Sequence, residues 1–193
     1  MLSRPHLIVI FGLIASGKTT LAQALGQSQD WPVVHSDMVR KNLLGIPATQ
    51  RTEVPFGHGI YAPDISGRTY QEMFRQARAH LESGSSVILE GSFMRSVDRQ
   101  QARELAAFCQ EEVFFILCSC PAEETLRRLA KRATDSQAIS NGRQEILMAQ
   151  QKVFEPITDL QEVPVLILDT NRSLNAILEE ALSFINLDCL NME

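Results

Sequence analysis

The chain has 193 residues, enough for one domain with a substantial core, and its apolar (45%) and charged (21%) fractions are ordinary for a globular protein. A net charge of -5 offers nothing overall that would attract nucleic acid or an anionic membrane. No apolar run is long enough to span a bilayer, no leader peptide is recognisable, and the four cysteines form neither a CxxC pair nor a zinc-type spacing. These features predict a reduced, cytoplasmic protein without a membrane segment.

Short apolar runs alternate with amphipathic segments along the chain, a pattern typical of an α/β fold with a parallel sheet. Five runs are apolar on both alternations, as strands buried on both faces are, and we predict strands at residues 6–11, 32–36, 86–90, 113–118 and 164–169. The first helix is predicted to end at Gly26, and Thr69 with Glu72 offers a capping box to a later one. Segment 45–66 lacks periodicity and is predicted to be a long irregular loop.

A phosphate-binding loop separates the first strand from the first helix. The sequence GLIASGKT (12–19) matches the pattern GxxxxGK[ST] in full, in the strand–loop–helix context that gives the pattern its meaning. Its glycines let backbone N–H groups point inward, and the helix N-terminus adds partial positive charge. We therefore expect ATP and Mg²⁺ as cofactors, with the nucleotide held by Gly12, Ala15, Ser16, Gly17, Lys18, Thr19 and Thr20.

Charged residues follow the second and third strands. Asp37 comes where the second strand ends, and in parallel sheets ligands bind beyond the carboxyl ends of the strands. A carboxylate there can accept the proton of an attacking hydroxyl, while Arg40 could hold substrate or the transferred phosphate. Glu90 ends the third strand and could join the Mg²⁺ shell or contact substrate. Asp37 could instead cap a helix that begins at Met38, and Glu90 could be an ordinary acid beside a turn.

An arginine-rich helix is predicted after the fourth strand. Arg128 and Arg132 are four residues apart on one face, ahead of an irregular stretch at 133–142. Arginines of a mobile lid commonly neutralise a transferred phosphoryl group and exclude water, so we predict a lid here. The alternative is a solvated face on which Glu124 pairs with Arg128.

Two other classes of P-loop protein fit poorly. A GTPase would need an Asn/Thr-Lys-x-Asp motif, which the sequence lacks. The stretch ISNGRQ (139–144) only faintly resembles the LSGGQ signature of ABC-type ATPases, and Thr170 stands where a glutamate would follow Asp169. The remaining features favour a kinase.

Taken in order, GLIASGKTTLAQAL, VVHSDMVRKNLLGI, ISGRTYQEMFRQARAHLESGSSVILEGSFM, LCSCPAEETLRRLAKR and ILMAQ resemble the bacterial "predicted kinase" branch of the P-loop kinases. The similarity covers nearly the whole chain. The branch also occurs as the ATP-binding half of proteins with an aminoglycoside phosphotransferase-like domain, and the wider group includes gluconate kinases, chloramphenicol phosphotransferases, zeta toxins and polynucleotide 5′-kinases. The resemblance implies a three-layer P-loop fold with a five-stranded parallel sheet of order 2-3-1-4-5, helices on both faces and a helical lid.

The resemblance also implies roles for individual positions. These are Lys18 and Thr19 for nucleotide and metal, Asp37 as the base, Arg40 at the acceptor, Arg128 and Arg132 in the lid, and Arg172 beside the adenine. Two departures from the family pattern stand out. The third strand more often ends in Asp than in Glu90, and the lid more often reads Ser-Asp-Ala than SNG (140–142), which leaves any role of Ser140 or Asp135 open.

We predict a single domain over residues 1–193, with an acceptor-binding segment at about 38–83 and a lid at about 121–152. The predicted function is transfer of the γ-phosphate of ATP to a hydroxyl of a small molecule. The predicted catalytic residues are Lys18, Asp37, Arg128 and Arg132; the nucleotide also contacts Arg128 and Arg172, the substrate contacts Asp37, Arg40 and Glu90, and Mg²⁺ contacts Thr19 and Glu90.

Three other functions stay open, and the third is a zeta-like toxin, for which the sequence shows no antitoxin-contact signature. The Asp37/Arg40 pair permits a polynucleotide 5′-hydroxyl kinase, although the net charge of -5 and the few aromatic side chains argue against a nucleic-acid partner. A regulatory module that hydrolyses ATP slowly and signals by lid movement is the second alternative. No pattern indicates a protein partner or an acceptor.

Overall fold

The computed structural model describes residues 4–50, 54–134 and 144–190, and the strands among them form one parallel sheet. The strands are β1 (His6–Phe11), β2 (Val33–His35), β3 (Val87–Glu90), β4 (Glu112–Ser119) and β5 (Val165–Asp169). Their order across the sheet is β2-β3-β1-β4-β5, and each neighbouring pair is parallel. This confirms the predicted α/β fold class and the strand order 2-3-1-4-5.

Helices cover both faces of the sheet. They are α1 (Lys18–Gln29), α2 (Ser36–Leu43), α3 (Pro63–Glu82), α4 (Ser96–Cys109), α5 (Ala122–Thr134), α6 (Gln144–Val153) and α7 (Leu174–Leu190), with short 3₁₀ turns at Gly59–Tyr61 and Ile157–Leu160. Leu7 and Val9 of β1 face one core with α3 and α4, whereas Ile8 and Ile10 face a second core with α1 and α7. Alternate side chains of a strand point to opposite faces, so β1 is apolar throughout because both faces are buried.

The first helix passes the residue at which it was predicted to stop. Helix α1 continues through Gly26 to Gln29, so the prediction of a glycine terminator was wrong. A Cβ atom on Gly26 would lie 2.6 Å from a methyl carbon of Val33 and 2.9 Å from the carbonyl oxygen of Trp31. The missing side chain lets the helix lie against the chain entering β2, which is a packing requirement rather than a stop signal.

Helix α3 begins earlier than the sequence pattern indicates. It starts at Pro63, which suits the first helical turn, and Thr69 lies inside it with its hydroxyl donating to the carbonyl of Ile65. Glu72 accepts hydrogen bonds from Arg75 and Gln76. The predicted capping box was therefore wrong, and α3 takes up the end of the segment that was expected to be a loop.

The carboxyl ends of β1, β2 and β3 meet at one edge of the sheet. There β1 leads into the loop before α1, β2 leads directly into α2, and β3 ends at Glu90 beside Gly91. None of the helices in the described part of the chain has the length and apolar character needed to cross a membrane. A cytoplasmic location and a single domain stay predictions.

Candidate active site

The loop between β1 and α1 is held in a tight curl by close contacts with Cys118 of β4 and with Thr170, which follows β5. Gly12 has φ of 136°, and a Cβ atom there would lie 2.6 Å from the carbonyl oxygen of Cys118. Gly17 has φ of 92° and lies against Thr170, where a Cβ atom would meet side-chain atoms at 3.0 Å. At both positions glycine is required because φ is positive and because there is no room for a Cβ atom. The curl ends at Lys18, the first residue of α1, so the positive end of that helix opens toward the loop.

Lys18 and Thr19 carry the polar side chains at the start of α1. The Nζ of Lys18 donates to the carbonyl of Leu13 at 2.7 Å, across the mouth of the loop. The Oγ1 of Thr19 lies 3.4 Å from an Oε of Glu90 at the end of β3. The structure thus brings together the loop, the lysine, the hydroxyl and the carboxylate that were predicted to form one site.

Sequence reasoning did not identify His35 as part of this site. Its Nδ1 lies 3.0 Å from the second carboxylate oxygen of Glu90, because β2 and β3 are paired with His35 opposite Glu90. Burial opposes the ionisation of Glu90, but the hydrogen bond with His35 and the charge of Lys18 together outweigh it and hold the pKa of this carboxyl below its usual value. Glu90 is therefore a buried carboxylate at neutral pH. The register of β2 against β3, which sets His35 opposite Glu90, was the signal that could have revealed this pair.

The oxygens at this position suit Mg²⁺. Thr19 and the ionised Glu90 offer hard oxygen donors side by side, and Mg²⁺ usually takes one or two protein oxygens and completes its shell with phosphate and water. In the described residues no group of three His, Cys, Asp or Glu side chains is arranged to hold a metal.

The half-buried Asp37 and the buried Arg40 form an ion pair in the first turns of α2. The Nη1 of Arg40 donates to Asp37 at 2.7 Å, and the guanidinium lies over the ring of Tyr61, with 4.9 Å between its carbon and the ring centroid. Arg40 is 8% exposed. Burial and the charge of Asp37 raise the pKa of Tyr61 to about 12, so this phenol keeps its proton at neutral pH. The alternative in which Asp37 caps a helix starting at Met38 is not observed, since α2 begins at Ser36.

One cleft of about 550 Å³ connects these groups. Lys18, Thr19 and Glu90 lie at one end, and Asp37, Arg40 and Tyr61 line it further on. Residues without any sequence motif complete the wall: Phe56, Tyr70, Ser92, Met94, Arg95, Asp98, Ile146, Gln150 and Val153. The wall is thus formed by the 45–66 segment, α3, the β3–α4 turn, α4 and α6.

Arg128 lies on the other side of the loop. It donates to the carbonyl and hydroxyl of Thr170 at 2.8 and 3.1 Å, to Ala15 of the loop at 3.4 Å, and to Glu124 at 2.8 Å. It lines a second hollow of about 410 Å³ together with Gly17, Thr20 and Arg172. Arg172 forms an ion pair with Glu180 at the rim. The structure therefore separates Arg128 from the cleft that contains Asp37.

Several predicted positions lie outside what the structure describes. The backbone of Arg132 belongs to α5, but its side chain is outside the described residues, and so are Asp135 and Ser140. The roles predicted for these three residues, and for the lid as a whole, stay predictions.

Comparison with known proteins assigns this chain to a family. The profile of the AAA_33 family, described as an AAA domain, matches residues 7–157. The protein Rv2004c of Mycobacterium tuberculosis (strain H37Rv) and the protein Mb2027c of Mycobacterium bovis, both named as uncharacterized, are 31% identical over 128 residues. Each match covers 66% of this chain and 26% of the relative, so this chain corresponds to about a quarter of the relatives' length.

Several solved structures with the same fold are named as kinases. A sugar kinase of Janibacter sp. HTCC2649 is 20% identical, with a TM-score of 0.68 and 95% of each chain covered. A gluconokinase of Sinorhizobium meliloti 1021 is 20% identical, with a TM-score of 0.64 over 97% of this chain and 95% of its own. The APS kinase CysC of M. tuberculosis, in complex with AMPPNP and APS, is 16% identical, with a TM-score of 0.68 over 95% of this chain and 98% of its own. The chain belongs to the AAA_33 family and has the fold of the P-loop small-molecule kinases.

Proposed function

We propose that this protein is an ATP-dependent kinase that moves the γ-phosphate of ATP to a hydroxyl group of a small molecule. The observation that carries the proposal is the shared cleft: Lys18 and Thr19 of the phosphate loop and the Asp37 carboxylate line the same cavity of about 550 Å³. Phosphoryl transfer requires a phosphate cradle and a proton acceptor that face one space. A binding module would have no need of the second group.

The donor end of the cleft suits a nucleoside triphosphate with Mg²⁺. Loop N–H groups, the N-terminus of α1 and Lys18 supply positive potential for the phosphates. Thr19 and Glu90 are the residues that would hold Mg²⁺, which neutralises charge on the transferred phosphate. The second hollow, with Arg128 and Arg172, lies on the opposite side of the loop and suits the nucleoside part of ATP.

The acceptor end suits a small molecule. Arg40 donates to Asp37 at 2.7 Å and holds the side chain in place, where its carboxylate can accept the hydroxyl proton as the oxygen attacks. The ring of Tyr61 supports the guanidinium from its other face. The enclosing side chains of α3, α6 and the β3–α4 turn leave a cavity of the size that a sugar-sized or drug-sized molecule fills.

The proposal is tested by a γ-phosphate transfer screen. Labelled ATP and Mg²⁺ are incubated with sugars, gluconate, nucleosides, aminoglycosides, chloramphenicol and a 5′-hydroxyl oligonucleotide. Asp37→Asn is the test variant, and Asp30→Asn, an exposed aspartate at the end of α1, is its matched control. We expect a labelled small molecule with the wild type and with Asp30→Asn, and loss of that label with Asp37→Asn.

The other outcomes separate the alternatives. Label on the oligonucleotide alone would make the protein a polynucleotide kinase. ATP hydrolysis that no acceptor stimulates and that Asp37→Asn leaves unchanged would contradict the kinase assignment and support the regulatory module.

A further inference from the structure

Helix α6 contacts the phosphate loop directly. The side-chain oxygen Oε1 of Gln150 accepts a hydrogen bond from the backbone N–H of Ile14 at 2.8 Å, although the two residues are far apart in sequence. Leu147, one turn earlier on the same face of α6, is buried in a small cluster with Ala15 and is packed by Leu13 and Ile14. Two successive contacts therefore hold α6 against the loop.

The C-terminal end of α6 is held as well. Phe154, just past the helix, stacks on Phe11 at the end of β1 with 6.4 Å between ring centroids. The N–H of Glu155 donates to the carbonyl of Met94 at 2.9 Å, and the Glu155 carboxylate accepts from the N–H of Ser96. Gln150 thus has anchors both before and after it, which gives its side chain a defined position at the loop.

The contact with Ile14 determines which way the Gln150 amide points. A backbone N–H can only donate, so the amide oxygen must face the loop and the Nε2 group must lie on the other side. Nε2 has no hydrogen-bond partner among the described residues, and the side chain lines the cleft. The amide therefore offers two N–H donors to the cleft from a fixed point beside the loop.

The loop has two sides, and Gln150 is at the acceptor side. Ile14, Lys18 and Thr19 line the cleft with Asp37, whereas Gly17 and Thr20 line the second hollow with Arg128. A triphosphate that spans the loop from the hollow to the cleft ends in the cleft, which Ile14 and Gln150 line. The phosphate that meets Gln150 is therefore the one to be transferred.

We infer that Gln150 is a phosphate-contacting residue whose Nε2 donates to the γ-phosphate of ATP. Gln150 supplies a neutral donor at the place where Arg128, engaged with Thr170 on the other side of the loop, does not reach. This inference rests on the proposed function for ATP as the ligand, but not on the identity of the acceptor.

The test compares affinity for AMPPNP with affinity for ADP, both with Mg²⁺, by calorimetry on the whole protein. Gln150→Glu keeps an oxygen acceptor for the Ile14 N–H but replaces the two donors with a negative charge. Gln150→Leu keeps the approximate size and loses both functions. Gln151→Glu, the exposed neighbour on α6, introduces the same charge and is the matched control.

We expect Gln150→Glu to weaken AMPPNP binding by about tenfold to a hundredfold, the value of a hydrogen bond to a charged group, and to change ADP binding less than about threefold. Gln150→Leu should likewise lose the preference for AMPPNP over ADP. If Gln150→Glu does not fold, the two affinities of Gln150→Leu test the inference in its place. Gln151→Glu should bind both nucleotides like the wild type.

Two results would overturn the inference while the proposed function stands. Wild-type affinity for AMPPNP in Gln150→Glu would mean that the side chain only caps Ile14, and an equal loss for AMPPNP and ADP would mean that it only supports the loop. A wild-type protein that binds neither nucleotide would instead overturn the proposed function, and this inference with it.

Discussion

The two ends of the cleft are built in different ways. The phosphate cradle of the donor end consists of consecutive residues, 12–19, whose backbone curls between β1 and α1 and whose position is set by the sheet. The acceptor end is assembled from distant segments: Asp37 and Arg40 of α2, Tyr61 of a 3₁₀ turn, the β3–α4 turn, and α6. A phosphate is bound by inward-pointing backbone N–H groups, which a short contiguous loop can supply. An acceptor is recognised by side chains that only the fold brings together.

The largest effect is expected at the donor end. Lys18→Ala removes the cation that lies across the mouth of the loop, so phosphoryl transfer should fall by about a thousandfold or more. Steady-state transfer and ATP binding are the measurements, and Lys152→Ala, an exposed lysine of α6, is the control. Activity within tenfold of the wild type would mean that the loop binds something other than the reacting phosphate.

The next effect should appear at the acceptor end. Asp37→Asn keeps the shape of the side chain but removes the proton acceptor, so kcat should fall by about a hundredfold to ten thousandfold with little change in the affinity for ATP. Kinetics at saturating ATP and a separate binding measurement make this distinction. A variant with nearly full kcat would show that Asp37 is only a positioning partner of Arg40.

The contrast between these ends explains what the sequence alone could predict. The strands, both core faces of β1 and the loop followed from local periodicity and a contiguous motif, whereas the strand order followed from the family resemblance. The His35–Glu90 and Ile14–Gln150 contacts did not, because they depend on strand register and on how a helix more than a hundred residues away returns to the loop. Gly26 was misread for a related reason, since its small size serves packing against Val33 rather than helix termination.

Arg128 sharpens the boundary between the donor and acceptor ends. It was predicted both to stabilise the transition state and to bind nucleotide, yet its contacts to Ala15 and Thr170 lie on the hollow side of the loop. Arg128→Ala should therefore weaken ATP and ADP alike by about tenfold and leave kcat at saturating ATP nearly unchanged. Arg78→Ala removes an exposed guanidinium of α3 that pairs with Glu82 and lines neither cavity, and it is the control. A large loss of kcat with unchanged ADP affinity would restore the catalytic assignment.

The smallest effect concerns the two tyrosines of the chain, Tyr61 and Tyr70, which both lie at the acceptor end. Burial and the charge of Asp37 raise the pKa of Tyr61 to about 12, and burial is the main cause that raises the pKa of Tyr70, whose hydroxyl accepts from the N–H of Phe93. An alkaline absorbance titration of the native protein should therefore show little tyrosinate near the ordinary pKa of 10.0, while the unfolded chain in urea ionises both phenols there.

The same shift has a consequence for stability whose sign follows from the proton count. Between the ordinary pKa of 10.0 and the folded value of about 12, the unfolded state has released the Tyr61 proton and the folded state still holds it. The free energy of unfolding must then fall as pH rises, by at most about 1.4 kcal/mol per pH unit for each such group. Tyr61→Phe should lose less stability than the wild type across this window, as measured by urea unfolding. Equal losses would mean that Tyr61 is solvated and that the acceptor end is more open than its contacts with Arg40 indicate.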